Sequence, residues 1–197
     1  MKKLFFMAAA LLTAGIASAQ VTYSIGYLNK TSKSEISGGG ITIKDSNQMN
    51  GFSIGVDDNI NLAGDLNVAV GGALEFYFKS EDDYKYKDFN LAVPVDFNYG
   101  FALGSNLKLS VFAGPTFNLG IISDAKGPHD YEFNYYDSDE GDYGRFDILV
   151  GGGVWMDIQD QFRVKVGYKA GLMDRCKKDG IKINDNPILS VSLGYIF

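Results

Sequence analysis

Residues 187–197 read PILSVSLGYIF, and the way this stretch faces decides the fold. At a period of two, Leu189, Val191, Leu193, Tyr195 and Phe197 share one face, while Ser190, Ser192 and Gly194 share the other. In a half-buried strand of a water-soluble sheet the apolar face turns to a core and the polar face to water. In a strand that crosses a bilayer the apolar face turns to lipid. The stretch alone fits both, so its neighbours must choose.

Working back along the chain, seven more stretches alternate in the same way: residues 162–172, 145–157, 107–121, 88–100, 66–79, 50–57 and 21–28. The pattern is sharpest in 88–100, where Phe89, Leu91, Val93, Val95, Phe97 and Tyr99 alternate with Asp88, Asn90, Ala92, Pro94, Asp96, Asn98 and Gly100. The apolar faces carry neither charge nor amide. The opposite faces collect Glu75, Asp96, Lys108, Asp147, Asp157, Arg163, Lys165 and Lys169. Connections 29–48, 80–87, 123–144 and 173–186 are long and polar, whereas 58–65, 101–106 and 158–161 are short and turn-like. Outer-membrane barrels show this asymmetry, with long loops outside and short turns in the periplasm, and a soluble up-and-down barrel has no reason to. The strands also match the 9–11 tilted residues that cross a bilayer. The expectation is an all-β fold, an eight-stranded antiparallel up-and-down transmembrane β-barrel over residues 20–197. Residues 21–28 should pair with 187–197 to close it.

The start of the chain agrees. Lys2 and Lys3 precede an apolar run from Leu4 to Ile16 and the small-residue site Ala17-Ser18-Ala19, so residues 1–19 read as a cleaved signal peptide. No stretch is apolar enough for a spanning helix, and only helices and closed barrels satisfy their backbone in hydrocarbon. Removing the signal leaves 16 basic and 24 acidic residues, from 18 − 2 and 24, a formal charge of −8. That excess argues against nucleic-acid binding. The single cysteine, Cys176, cannot form an internal disulfide and reads as a passive exposed thiol beside Arg175 and Lys177. Aromatics gather at strand ends: Tyr23, Tyr99, Phe101, Phe162, Tyr195 and Phe197 at one rim, Tyr27, Phe76, Phe78 and Phe89 at the other, resembling two interfacial girdles.

The segments FNLAVPVDFNYG, LKLSVFAGPTFNLG, RFDILVGGGVWMDI, FRVKVGYKAGLMD and LSVSLGYIF resemble the PorT-like outer-membrane β-barrel domain family of the Bacteroidota, over nearly the whole chain after the signal. The resemblance implies an eight-stranded barrel and an envelope role. It also implies an assembly signal in the last strand, Leu193, Tyr195 and Phe197, read by the barrel-assembly machinery. Its motifs are architectural, so no activity follows from them.

Three groups of residues can carry function. The inward charges can pair across neighbouring strands, Asp147 and Asp157 against Arg163, Lys165 and Lys169. An eight-stranded barrel is just wide enough to be filled by side chains, which makes a plugged lumen the structural reading and a narrow pore the functional alternative. Residues 130–144, DYEFNYYDSDEGDYG, place Tyr131, Phe133, Tyr135, Tyr136, Asp137 and Asp139 in one loop, a surface suited to a partner. Its spacing departs from a calcium loop. His129 lies beside Asp130 and near Ser123 and Ser138; a lone loop histidine reads as solvated. The expectation is therefore no enzyme, no cofactor and no metal. It is a monomer held in outer-membrane lipid whose outer loops meet a partner, with a small-solute pore or lipid-binding barrel as the alternative.

Overall fold

The computed structural model describes residues 21–38, 41–128, 131–137, 143–176, 178 and 180–197. The expected signal peptide lies outside them, as do His129, Asp130, Ser138 and Asp139. The described chain is all β and antiparallel: β1 (Val21–Gly38), β2 (Ile41–Ala63), β3 (Leu66–Glu81), β4 (Tyr84–Ala102), β5 (Leu107–Lys126), β6 (Glu132–Asn134), β7 (Phe146–Ile158), β8 (Phe162–Gly171) and β9 (Ile181–Ile196). The sheet runs β4-β3-β2-β1-β9-β8-β7-β5-β6, and β4 also pairs with β5, so the eight long strands form a ring of pairings with β6 appended to β5. β1 meets β9 from Thr22↔Ile196 to Ile36↔Ile181, which joins the first long strand to the last.

The distribution of side chains is inside-out for a water-soluble protein. Ile25 is 65 % exposed, Leu193 60 % and Phe97 53 %, while Glu75, Asp88, Asp96, Asp157 and Arg163 are buried. Aromatic rows band the outer surface at both ends. Phe52, Phe76 and Phe89 stack at 4.8 and 4.6 Å across β2, β3 and β4. At the other end Tyr195 packs edge-on against Phe197 at 4.7 Å and against Phe162 at 5.5 Å. The same strong curvature that closes the ring leaves room only for glycine at some inward positions. A Cβ on Gly153 would lie 2.0 Å from the Val166 carbonyl oxygen and 2.9 Å from the Phe112 ring.

Two of the four connections expected to be long are largely strand, and the other two are strand in part. Instead of a loop at 29–48, β1 and β2 continue as one hairpin, Lys30↔Met49 out to Gly38↔Ile41. The stretch 80–87 contracts to a two-residue turn at Asp82 and Asp83, with Asp82 at φ 50°. β9 begins at Ile181, inside the expected loop 173–186, and 123–144 contains the end of β5 and all of β6. Beyond the aromatic row neither face of these strands meets lipid, so nothing imposes an apolar alternation and the period vanishes although the ladder continues. The short connections 101–106 and 158–161 are turn-like as expected, the latter with Gln159 and Asp160 at φ 55° and 54°, whereas 58–65 is mostly the end of β2 and turns only at Gly64, φ 58°, and Asp65.

Two register shifts redirect side chains. Phe89↔Ile122 is followed by Asn90↔Gly120, which makes Ile121 an extra residue and turns Ala125 inward. Lys30↔Ile188 is followed by Ser32↔Asp185, which places an extra residue in β9 and brings Asp185 inside.

Candidate functional site

Polar side chains fill the ring in two tiers. In the tier nearer the short turns, Arg163 on β8 donates from Nε and Nη2 to Asp157 Oδ1 and Oδ2 at 2.7 and 3.1 Å, and from Nη1 to Asp57 Oδ1 at 3.1 Å on the opposite wall. Its guanidinium lies 4.5 Å from the Trp155 ring, which stacks on Phe112 at 5.2 Å. Lys165 Nζ donates to Asp96 Oδ2 at 2.7 Å. Higher up, Lys169 Nζ lies 3.8 Å from Glu75 Oε1, and Tyr77 donates to Glu75 Oε2 at 2.9 Å. A void of about 90 Å³ remains beside the small side chains Ser24, Ser53, Ser190 and Ser192.

Of the eight expected inward charges, Glu75, Asp96, Asp157, Arg163, Lys165 and Lys169 are therefore brought together, and Asp57 joins them. Asp147 and Lys108 are not. Asp147 accepts from the Met173 amide at 3.2 Å and forms no ion pair among the described residues, because the cations of β8 are taken by other carboxylates. Lys108 stands opposite Asp157 in register, but Arg163 occupies that carboxylate, and the Lys108 chain folds over Gly100 instead.

The second tier lies at the long-hairpin end and escaped the sequence reading. Lys30, 2 % exposed, bridges Asp88, to which it donates, and Asp185, 3.9 Å away. Its ammonium lies 4.4 Å from the Tyr77 ring. Arg175 Nη1 donates to Asp185 Oδ2 and Nη2 to the Tyr136 hydroxyl, both at 2.8 Å. Ser32 also donates to Asp185. A cavity of about 150 Å³ opens here, walled by Ser32, Ser34, Asn47, Tyr86, Tyr135 and Tyr143 around Lys30, Asp88, Asp185 and Arg175. Lys30 and Arg175 lie in segments without alternation, so no periodic signal marked them. Asp88 was visible as an inward position of β4.

The tyrosine-rich loop divides. Tyr131 is 50 % exposed, but Tyr135 packs between Phe133 and Tyr143 at 4.9 and 5.0 Å, and Tyr136 turns into the mouth under Arg145, 4.4 Å from its ring. The Asp137 amide donates to the Asn134 carbonyl at 3.2 Å, closing a turn after β6. Cys176, expected to be exposed, is buried, because its backbone pairs with Tyr143 and draws the last connection over the mouth. Among the described residues no group of three or more His, Cys, Asp or Glu side chains is placed to hold a metal ion.

An antiparallel ring with apolar side chains outside and ion pairs inside is the construction of a barrel that lives in a bilayer. The chain matches the model of the outer membrane protein beta-barrel domain family over residues 6–197 and belongs to that family. The protein is accordingly a small β-barrel of the outer membrane. No curated protein matches it. Among solved structures it is similar to OprG of Pseudomonas aeruginosa, at 11 % identity with 91 % of this chain and 96 % of that one covered and a TM-score of 0.49. It is also similar to Ail of Yersinia pestis, at 15 % identity with 91 % and 99 % covered and a TM-score of 0.47. A third is the Neisserial surface protein A, at 15 % identity with 88 % and 97 % covered and a TM-score of 0.45.

Above Tyr27 the outward positions turn polar, Asn29 donating to Asn50 and Gln48 to Asn29 at 2.8 and 2.9 Å, so the mouth cluster stands beyond the apolar band. There, burial works to lower the Lys30 pKa, but Asp185 and Asp88 outweigh it and hold it above the ordinary lysine value. Burial works to raise Asp185, but Lys30 and Arg175 hold it below the ordinary carboxylate value. Tyr135 is pushed up to about 12, chiefly by burial.

Proposed function

We propose that the protein is a plugged barrel that works through its extracellular end, with the hairpin side outward and the short turns in the periplasm. The carrying observation is the polar filling, from Arg163, Asp157 and Asp57 through Lys165, Asp96, Lys169 and Glu75 to Lys30 and Asp88, which leaves about 90 Å³ of void beside it among the described residues and favours a lumen closed to ions. What remains for contact with the surroundings is the β1–β2 hairpin, where Ile36, Ile41 and Ile43 are exposed, and the tyrosines around β6. Isoleucines outside the lipid band on an otherwise polar hairpin favour a surface that meets a partner. Reconstitution in planar bilayers tests the reading: it expects no steady conductance, and regular openings would replace it with a pore.

The likeness to PorT-like barrels supports this structural role and adds no activity. Lys30, Asp88, Asp185 and Arg175 pair with one another at the mouth, which favours a structural over a catalytic role for them. Leu193 and Tyr195 are exposed on the outer face of β9 and Phe197 follows directly after it, the row we assign to recognition by the assembly machinery. Deleting Phe197 should impair membrane insertion more than export, read by heat-modifiable gel mobility.

A further inference from the structure

The mouth cavity has more chemistry than a plug needs. Asp88 and Arg175 are 5 % and 7 % exposed and both line it. Each keeps one polar atom without a partner among the described residues, Oδ1 of Asp88 and Nε of Arg175. A buried acceptor and a buried donor left open together are costly unless something satisfies both. The charges decide what. Lys30 and Arg175 face Asp88 and Asp185 at close range, so an added anion meets two carboxylates and an added cation meets an ammonium and a guanidinium. A neutral group that donates and accepts at once avoids both penalties, and a hydroxyl does this. The remaining walls fit a ligand dense in hydroxyls: Ser32, Ser34, Asn47 and Ser123 offer side-chain donors and acceptors, while Tyr86, Tyr135 and Tyr143 offer ring faces to C–H surfaces.

We propose that the extracellular mouth is a binding site for a single neutral sugar residue, whose ring lies against the tyrosines and whose hydroxyls donate to Asp88 Oδ1 and accept from Arg175 Nε once a small turn of the two side chains brings these enclosed atoms to the cavity. The volume of about 150 Å³ suits one monosaccharide and no more. This rests on the reading of the hairpin end as the surface that meets the environment, and names what that surface holds.

Saturation-transfer NMR on the full chain in detergent micelles, with methyl β-D-galactoside and methyl α-D-mannoside as probes, tests it. Transfer to the ring protons of at least one glycoside is expected, unaffected by equimolar glycine or inorganic phosphate. Arg175→Lys keeps the cation beside Asp185 but removes Nε, and should weaken binding about tenfold. Tyr135→Ala should weaken it similarly, and Tyr168→Phe, on the lipid face, should leave it unchanged. Each variant is first checked for heat-modifiable mobility, so that loss of binding is read only from folded barrels. Absence of transfer from both glycosides, transfer undiminished in Arg175→Lys and Tyr135→Ala, or displacement by glycine or phosphate overturns the proposal. The underlying reading fails separately, through steady conductance, so a closed barrel that binds neither glycoside removes the sugar site alone.

Discussion

The two tiers of the lumen share one plan. In each, a single cation bridges a carboxylate on the adjacent strand and another across the ring: Arg163 joins Asp157 and Asp57, and Lys30 joins Asp185 and Asp88. In each, the cation also lies over an aromatic ring, Trp155 at 4.5 Å or Tyr77 at 4.4 Å. They differ in the cation. The guanidinium fork satisfies both oxygens of Asp157 and still reaches Asp57, whereas the ammonium is a point charge that leaves Asp88 Oδ1 open. A brace inside the lipid band is thus closed by its own side chains, and the one at the water's edge keeps capacity to spare.

The sharpest way to break this comparison is to remove each cation. Arg163→Ala strands the buried Asp157 and the half-buried Asp57 within the bilayer and should cost about 3–5 kcal/mol in urea unfolding from vesicles, with a change in Trp155 fluorescence. If it costs no more than Lys30→Ala, the two tiers are equivalent and the distinction is lost. The lipid wall gives the next effect: Ile25→Arg, on the outer face between Tyr23 and Tyr27, should cost about 2–4 kcal/mol because a charge is forced into hydrocarbon. Lys30→Ala should cost less, about 1–3 kcal/mol, since water can reach Asp88 and Asp185 once the ammonium is gone. Its signature is faster amide exchange in the β1–β9 pairs above Ser32, with the Trp155 region unchanged.

The smallest effect is pH dependence confined to the mouth. The depressed pKa of Asp185 contributes stability that is present above the ordinary carboxylate value of about 3.9 and is lost as pH falls through the lower folded value. The raised pKa of Lys30 contributes stability that is complete below about 10.4 and is lost as pH rises through the higher folded value. Exchange at Ser32–Ile36 should therefore stay slow between about pH 4 and 10 and accelerate at both extremes. Uniform acceleration along the whole of β1 would contradict a mouth-specific brace.

What the sequence made legible follows the lipid. Where a strand must show hydrocarbon on one side and a filled lumen on the other, alternation named the faces of Phe89 to Tyr99, the pairing of β1 with β9, and the inward charges, of which six join the ion-pair network. Above the Tyr27 and Phe89 level that demand stops, so Lys30 looked like part of a polar loop. Asp185 was hidden further by the extra residue in β9, and Arg175 comes from a connection rather than a strand. Asp147 and Lys108 failed for a different reason. Period two states that a side chain points inward, but partner choice depends on which cation reaches across the ring first.

The β1–β2 hairpin acts mechanically as a cantilever. From Lys30 to Gly38 it extends about 26 Å along the strand, at roughly 3.3 Å per residue. β9 follows β1 as far as Ile36↔Ile181, and Gly180 accepts from the Ser37 amide at 2.7 Å, so the arm is held along β1. β2 pairs with β3 only from Asn50 and rests on β1 from Ile41 to Met49, and the root of the arm is clamped by the Lys30, Asp88 and Asp185 contacts. Whatever pulls on Ile41 or Ile43 at the tip bears on the ion pairs at the mouth, so the arm and the cavity beneath it share one fulcrum.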